Sequence, residues 1–265
     1  RWRGGAVQSP GALPPPPSTP GDVLVEIGIE ELPAHDVDDA LAYLADAAPR
    51  LFAALQLSYD SLRVMATPRR LVLHALNVAT VQPNRTSVER GPSADRAFDS
   101  DGKPTKAAEG FARSRGIDVS ALVIEDTDAG RYVVAHVEKI GLPATEVLAA
   151  ALPDFIAGLK FGKSMRWNET NVAFSRPLRW IVALYGGTAI PFAYAGVASS
   201  NTTRGIRPYG SPERVVRDPG DYFAYMHEQG IVLDLEERKR IIMRQVEQLA
   251  ADVGGHVPAD PGLLA

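Results

Sequence analysis

Between Lys160 and Arg179 the chain gathers five cations, Lys160, Lys163, Arg166, Arg176 and Arg179, against the single acid Glu169. Trp167 and Trp180 are interleaved with them. A guanidinium offers a planar fork to phosphate oxygens, and an indole face can stack on an unpaired base. Such a mixture suits contact with RNA. A second reading stands beside it, in which both tryptophans are core and the cations line a solvated face. Arg69 and Arg70 follow Pro68, whose fixed φ makes a defined corner from which either could reach a phosphate. Arg204 and Arg207, two residues apart across Gly205-Ile206, extend the same basic character.

Other chemistries fit less well. Gly158 and the Gly162-Lys163-Ser164 run are separated by three residues, whereas a phosphate-cradling P-loop needs four. His35-Asp36 has the order of a metal-dependent phosphohydrolase pair, yet His74, His136, His227 and His256 each stand alone in the sequence. A pair at a helix start is more simply explained by favourable interaction with the helix end. Glu26, Glu30 and Glu31 lack a neighbouring nucleophile or second ligand set. The expectation for Glu30 and Glu31 is a strand-to-helix turn whose acids face a positive helix N-terminus. No catalytic residue and no metal site is assigned.

These residues sit in a chain of 265 residues with 45% hydrophobic content, long enough for one large core or two small ones. Net charge is −4, so any nucleic-acid contact depends on clustering of cations and not on their total. Cysteine is absent, which removes disulfides, thiol catalysis and cysteine metal sites. No apolar run reaches the roughly 18 residues of a membrane span.

The elements that must position the cations follow from pattern. Residues 22–28 read as a largely buried strand, since Val23, Val25 and Ile27 share one face and Leu24 takes the other. A helix opens at Pro33 and its apolar spacing continues to Leu55, with Pro49 expected to kink or split it. Residues 61–66 and 69–80 read as strands joined tightly at Thr67-Pro68. Residues 82–103 are polar and rich in turn formers, which predicts a long surface loop. A short helix from Thr105 to Arg115 ends at Gly116. A turn over Asp126 to Gly130, a strand from Arg131 to Lys139 and a helix from Pro143 to Ala157 follow. Strands are expected at 171–174, 178–185 and 189–198, with 180–185 central and buried on both faces. Residues 199–220 read as loop-rich and basic. A last helix starts at Asp234, with Glu237 completing a capping box and Leu235, Ile242, Val246, Leu249 and Val253 forming an apolar stripe. Without regular βα alternation, the fold class is α+β, with mixed or antiparallel sheets and packed helices.

Residues 10–20 have the composition of an extended, semi-rigid linker. The chain starts at Arg1 and stops in Leu263-Leu264-Ala265, so it reads as a piece of a longer polypeptide. The organisation expected is a Pro-rich disordered linker over 1–21, an α+β region over 22–230 with lobes of about 22–88 and 89–230, and a helix over 231–265 leading into a further domain.

Six short motifs occur in one order: Glu26-Ile-Gly-Ile-Glu-Glu-Leu-Pro33, Thr67-Pro-Arg-Arg70, Arg90-Gly-Pro92, Lys103-Pro-Thr-Lys-Ala-Ala-Glu-Gly-Phe-Ala-Arg113, Met165-Arg-Trp167 and Phe174-Ser-Arg-Pro-Leu-Arg-Trp-Ile-Val-Ala-Leu-Tyr185. In sequence and spacing they resemble the N-terminal portion of the glycyl-tRNA synthetase β subunit, over about residues 22–260. This is the bacterial and plastid type of enzyme, in which α and β parts divide the work. The resemblance implies that part of the fold is similar to the B3/B4 domain of the phenylalanyl-tRNA synthetase β chain. It implies tRNA(Gly) as the RNA and an α subunit, or a fused α domain, as the protein partner. It places ATP and Mg²⁺ in the α part, leaving no cofactor here, and implies a cytoplasmic protein, or a plastid one in a eukaryote. The chain departs from the family pattern at Ile206 and Pro208, where a His and an aromatic are usual, and at Ile29, where Thr is common.

Overall fold

A computed structural model describes residues 9–127, 130–258, 260 and 262. Residues 9–20 form no helix or strand and are mostly exposed; residues 1–8, the start of the expected linker, lie outside the described residues. The first strand, β1 (Gly21–Ile29), is buried along nearly its whole length. It leads through Pro33 into helix α1 (Ala34–Leu55), which Pro49 does not split. Ala45 and Pro49 both lie on the exposed side of α1, where solvent can take the carbonyl that proline leaves unpaired. Strands β2 (Ser61–Thr67) and β3 (Arg70–Val78) form the expected hairpin around Pro68-Arg69.

The chain then enters a separate compact unit, residues 82–142, before returning to the first. The inserted unit holds β4 (Arg85–Ser93), a one-turn helix α2 (Ala94–Ala97), α3 (Lys106–Arg115), β5 (Leu122–Thr127) and β6 (Gly130–Lys139). Its strands form an antiparallel sheet in the order β4-β6-β5, and Ala97, Ala108 and Val133 make its small core. Two expectations are corrected here. Residues 82–103 are not one long loop, because β4 pairs with β6 from Arg85↔Lys139 to Ser93↔Tyr132 with a register shift after Arg90. The strand has only one β-branched aliphatic, Val88, and that side chain is 56% exposed, so no apolar alternation marks it. The two units also do not divide sequentially near residue 88, since residues 143–265 rejoin the first. Helix α3 keeps its expected ends, with Thr105 Oγ1 accepting from the Ala107 amide and Gly116 in the left-handed region at φ 70°. The β5–β6 turn itself, residues 128–129, lies outside the described residues.

Back in the first unit come α4 (Ala144–Ala157), the short pair β7 (Met165–Arg166) and β8 (Ala173–Phe174), and the central strand β9 (Leu178–Tyr185). The predicted strand over 189–198 is three pieces, β10 (Thr188–Ala189), β11 (Ala193–Tyr194) and β12 (Val197–Ser200), broken by a turn at Ala195 and Gly196 with φ of 51° and 80°. The stretch after it holds β13 (Thr202–Arg204) and β14 (Glu213–Val215), and helices α5 (Pro219–Glu228) and α6 (Leu235–Asp252) follow.

The main sheet runs β11-β12-β9-β1-β3-β2, antiparallel except for β12 beside β9, with β10 paired to β9. The fold is therefore α+β with a mixed sheet. One face of β1 and β9, carrying Val23, Val25, Ile27, Ile181 and Ala183, packs with α1 and α4 through Phe52, Leu148 and Leu152. The opposite face of the sheet, carrying Leu24 of β1, Val72 of β3 and Val182 and Leu184 of β9, packs with Tyr222, Tyr225 and Met226 of α5. Val182 and Leu184 are fully buried, as the two-sided burial of this short apolar run requires. Helix α6 begins as predicted, with Asp234 Oδ1 accepting from the Glu237 amide at 2.9 Å. Its apolar stripe is not part of either core: no α6 residue is buried, and Ile242 and Leu249 are 38% and 67% exposed.

Register across three strands explains one glycine. Gly28 of β1 lies opposite Arg70 of β3 on one side and Trp180 of β9 on the other. A Cβ at position 28 would overlap the Trp180 indole. Gly28→Ala is therefore expected to destabilise the chain by about 1–3 kcal/mol through overpacking. Urea unfolding checks this, and an unchanged midpoint would contradict the packing described.

Candidate nucleic-acid interface

The predicted cations separate into three environments. The first is buried. Side chains alternate along β1, so Glu26 projects to the α5 face with Leu24. Glu26 Oε2 accepts from Trp180 Nε1 at 2.9 Å and from Thr203 Oγ1 at 2.6 Å, and Oε1 lies 3.4 Å from Arg70 Nη1. Arg70 Nη2 donates to the Arg204 carbonyl at 2.9 Å, and the guanidinium carbon sits 5.7 Å from the Trp180 ring centroid. Tyr222 borders this cluster, and burial first, then the Glu26 charge, pushes its hydroxyl pKa well up. Arg70 is 2% exposed, which corrects its assignment as a phosphate contact. The proline corner is as expected, but Arg70 opens a strand whose face is covered by α5, so its side chain turns under the sheet.

The second environment is a surface corner where β1 ends. Arg207 clamps both acids, Nη2 to Glu30 Oε2 at 2.9 Å and Nη1 to Glu31 Oε1 at 2.8 Å. Arg179 Nε lies 3.4 Å from Glu30 Oε1. Arg69 Nη1 donates to Ser211 Oγ at 2.9 Å, and Arg204 is paired with Glu213. Glu30 and Glu31 stand in the expected turn between β1 and α1 and there hold arginines. The structure brings Arg69, Arg179 and Arg207 together here. The clamp of Arg207 on Glu30 and Glu31 was missed because it joins residues 177 and 176 positions apart in sequence, and no local pattern reports that.

The third environment is the segment between α4 and β9. Lys160, Lys163 and Arg166 are exposed and Arg176 is half-buried. Lys160 Nζ donates to the Ala157 carbonyl at 2.7 Å, helping to close α4, and Arg176 Nη1 donates to the Ser175 carbonyl at 3.1 Å. Lys163 and Arg166 have no ion-pair partner among the described residues. Neither tryptophan presents itself to a base. Trp180 is 6% exposed, and Trp167 is half-buried against the main core with Nε1 donating to the Phe174 carbonyl at 2.9 Å. The bland reading holds for the tryptophans, and the cations remain available.

His35, Asp36 and Ser175 come together without forming a hydrolytic triad. Asp36 is 1% exposed and accepts from Ser175 Oγ on one oxygen, while His35 Nε2 is 3.2 Å from the other. The carboxylate lies between serine and histidine, so the histidine cannot take the serine proton. Among the described residues no three His, Asp, Glu or Cys side chains converge as a metal-ligand group. No helix among them is long and apolar enough to cross a membrane.

Residues 23–265 match the family model described as glycyl-tRNA synthetase beta subunit, and the chain belongs to that family. It is similar to the glycine–tRNA ligase beta subunit of Trichlorobacter lovleyi, 42% identical over 243 residues, covering 92% of this chain and 35% of that protein. The same subunits of Geobacter metallireducens and Desulfitobacterium hafniense are each 39% identical over the same shares. The chain spans about a third of the length of the curated relatives it matches.

Proposed function

We propose that this chain is the N-terminal part of the β subunit of a glycine–tRNA ligase and that it positions tRNA(Gly) for ATP-dependent glycylation carried out by the α part. ATP and Mg²⁺ belong to that α part, whether a separate subunit or a fused domain. The observation that carries the reading is the segment from Lys160 to Arg176, where Lys163 and Arg166 stand exposed and unpaired in a chain of net charge −4. Unpaired surface cations can replace the counterions of a phosphate backbone without first losing an internal partner.

Family membership supports the reading, and so does the state of the carboxylates. Glu26, Glu30 and Asp36 are each already engaged by a serine, threonine, tryptophan or arginine, so they are poorly placed to activate a water. The alternative, an editing hydrolase acting on mischarged tRNA, predicts release of alanine or serine from tRNA carrying the glycine anticodon. On our reading the chain releases neither.

A binding titration tests the reading. tRNA(Gly) is expected to bind the chain with an affinity that falls as salt rises from about 50 to 200 mM, the range over which phosphate contacts weaken steeply. Absent or salt-independent binding would instead make this chain a module that only links other parts of the subunit.

A further inference from the structure

Beside the arginine corner opens a cleft of about 400 Å³, within the roughly 300–1,000 Å³ typical of small-molecule sites. Its walls are the β2–β3 turn, residues 206–208 and residues 230–232. Arg69, Arg70, Arg207 and Arg238 line it, Arg70 being paired with the buried Glu26, with Glu31 as the only lining acid, and Pro68, Ile206 and Ile231 supply apolar surface. Glu31 is matched by Arg207, so Arg69 and Arg238 are the lining charges without an acid of their own.

Arg69 is the more exposed to this imbalance. Among the described residues its guanidinium has a hydrogen bond only through Nη1, to Ser211, and Nε is buried with no partner there. Burial lowers its pKa, Glu30 opposes that, and the neighbouring charges of Arg207 and Arg70 add to it. A second anion at this point would offset both the desolvation and the repulsion. Arg238 is held in place from behind, Nη1 donating to the carbonyls of Ala66 at 3.2 Å and Val232 at 2.7 Å, which fixes the direction of the fork. The site therefore combines cationic forks, one of them held in place, with apolar side chains.

We infer that this cleft binds a phosphorylated nucleoside, the phosphate held by Arg69 and Arg238 and the base lying against Pro68, Ile206 and Ile231. Planar guanidinium forks match phosphate oxygens bidentately, and a base face buries apolar area on a wall of this kind. The inference rests on the tRNA reading for its biological source, since the end of an RNA strand supplies the same chemistry as a free nucleotide. The basic segment at Lys163 and Arg166 plays no part in it.

Calorimetric titration of the whole chain with AMP, and separately with a six-nucleotide single-stranded oligoadenylate, tests the cleft. Wild type is expected to bind at least one of the two. Ile206→Glu, which replaces part of the apolar wall under the base with a carboxylate and adds negative charge to the cleft, is expected to weaken binding by about tenfold or more, and Arg69→Ala by a similar factor. Ile206 is only half-buried, so its variant carries the test if Arg69→Ala lowers the melting temperature. Tighter binding of the oligonucleotide than of AMP assigns the site to an RNA end, and equal binding assigns it to a free nucleotide. Failure of both probes to bind wild type, or binding unchanged in both variants, would overturn the inference. The tRNA reading is judged separately, by the salt dependence of tRNA binding. A cleft that takes no nucleotide beside a steep salt dependence would leave that reading standing.

Discussion

Arg70→Ala is expected to destabilise the chain by about 3–5 kcal/mol, the cost of leaving the partner of a buried ion pair uncompensated. Glu26 is fully buried, and among the described residues Arg70 is the only cation in an ion pair with its carboxylate. Trp180 and Thr203 donate to Glu26 Oε2, whereas Oε1 accepts no hydrogen bond and has only the Arg70 charge, at 3.4 Å, to compensate it. The arginine also ties β3 to the Arg204 carbonyl, so β13 would loosen with it. The double replacement of Glu26 and Arg70 by apolar residues of similar size is expected to cost much less than Arg70→Ala alone, because no isolated charge then remains. Chemical unfolding of the two variants checks this. Equal loss in both would mean that packing volume, and not the buried charge, dominates at this site.

The same cluster shows what could be seen without coordinates. β1, β9, the β2–β3 hairpin and α3 are marked by local signals: apolar runs, proline and glycine at turns, and a threonine cap. Lys163 and Arg166 were visible as cations for the same reason, since exposure of a cation in a polar segment needs no distant partner. Arg70 was not distinguishable from Arg69 by type or spacing. What separates them is the pairing of β3 with β1 and the cover supplied by α5, both set by residues far along the chain. Strand β4 was hidden because its side chains are mostly polar and carry no apolar alternation, so the pairing with β6 leaves no local signal. The insertion of residues 82–142 was hidden because β9 returns to β1 across the whole inserted unit. Arg238, which lines the cleft, lay in an apparently ordinary charged helix start.

The second large effect concerns RNA. Arg166→Ala combined with Arg176→Ala is expected to weaken tRNA(Gly) binding by about tenfold or more at low salt, since charge-assisted contacts contribute roughly 1.5–3 kcal/mol each and exposure reduces that. The fold should be retained. Arg166 is exposed and has no ion-pair partner among the described residues, and Arg176 donates only to the carbonyl of the residue before it. A melting temperature close to that of wild type would separate this loss from unfolding. By contrast, Arg207→Ala should cost RNA affinity less directly, because Arg207 must first give up Glu30 and Glu31.

The most direct test of the proposal that this chain holds tRNA through unpaired surface cations is the slope of the logarithm of tRNA affinity against the logarithm of salt concentration, for wild type and for the Arg166→Ala, Arg176→Ala chain. Each phosphate contact contributes about one unit to that slope. The account predicts that the double variant is shallower by about two units. An identical slope in the two chains would contradict it and assign these arginines to the solvated surface alone.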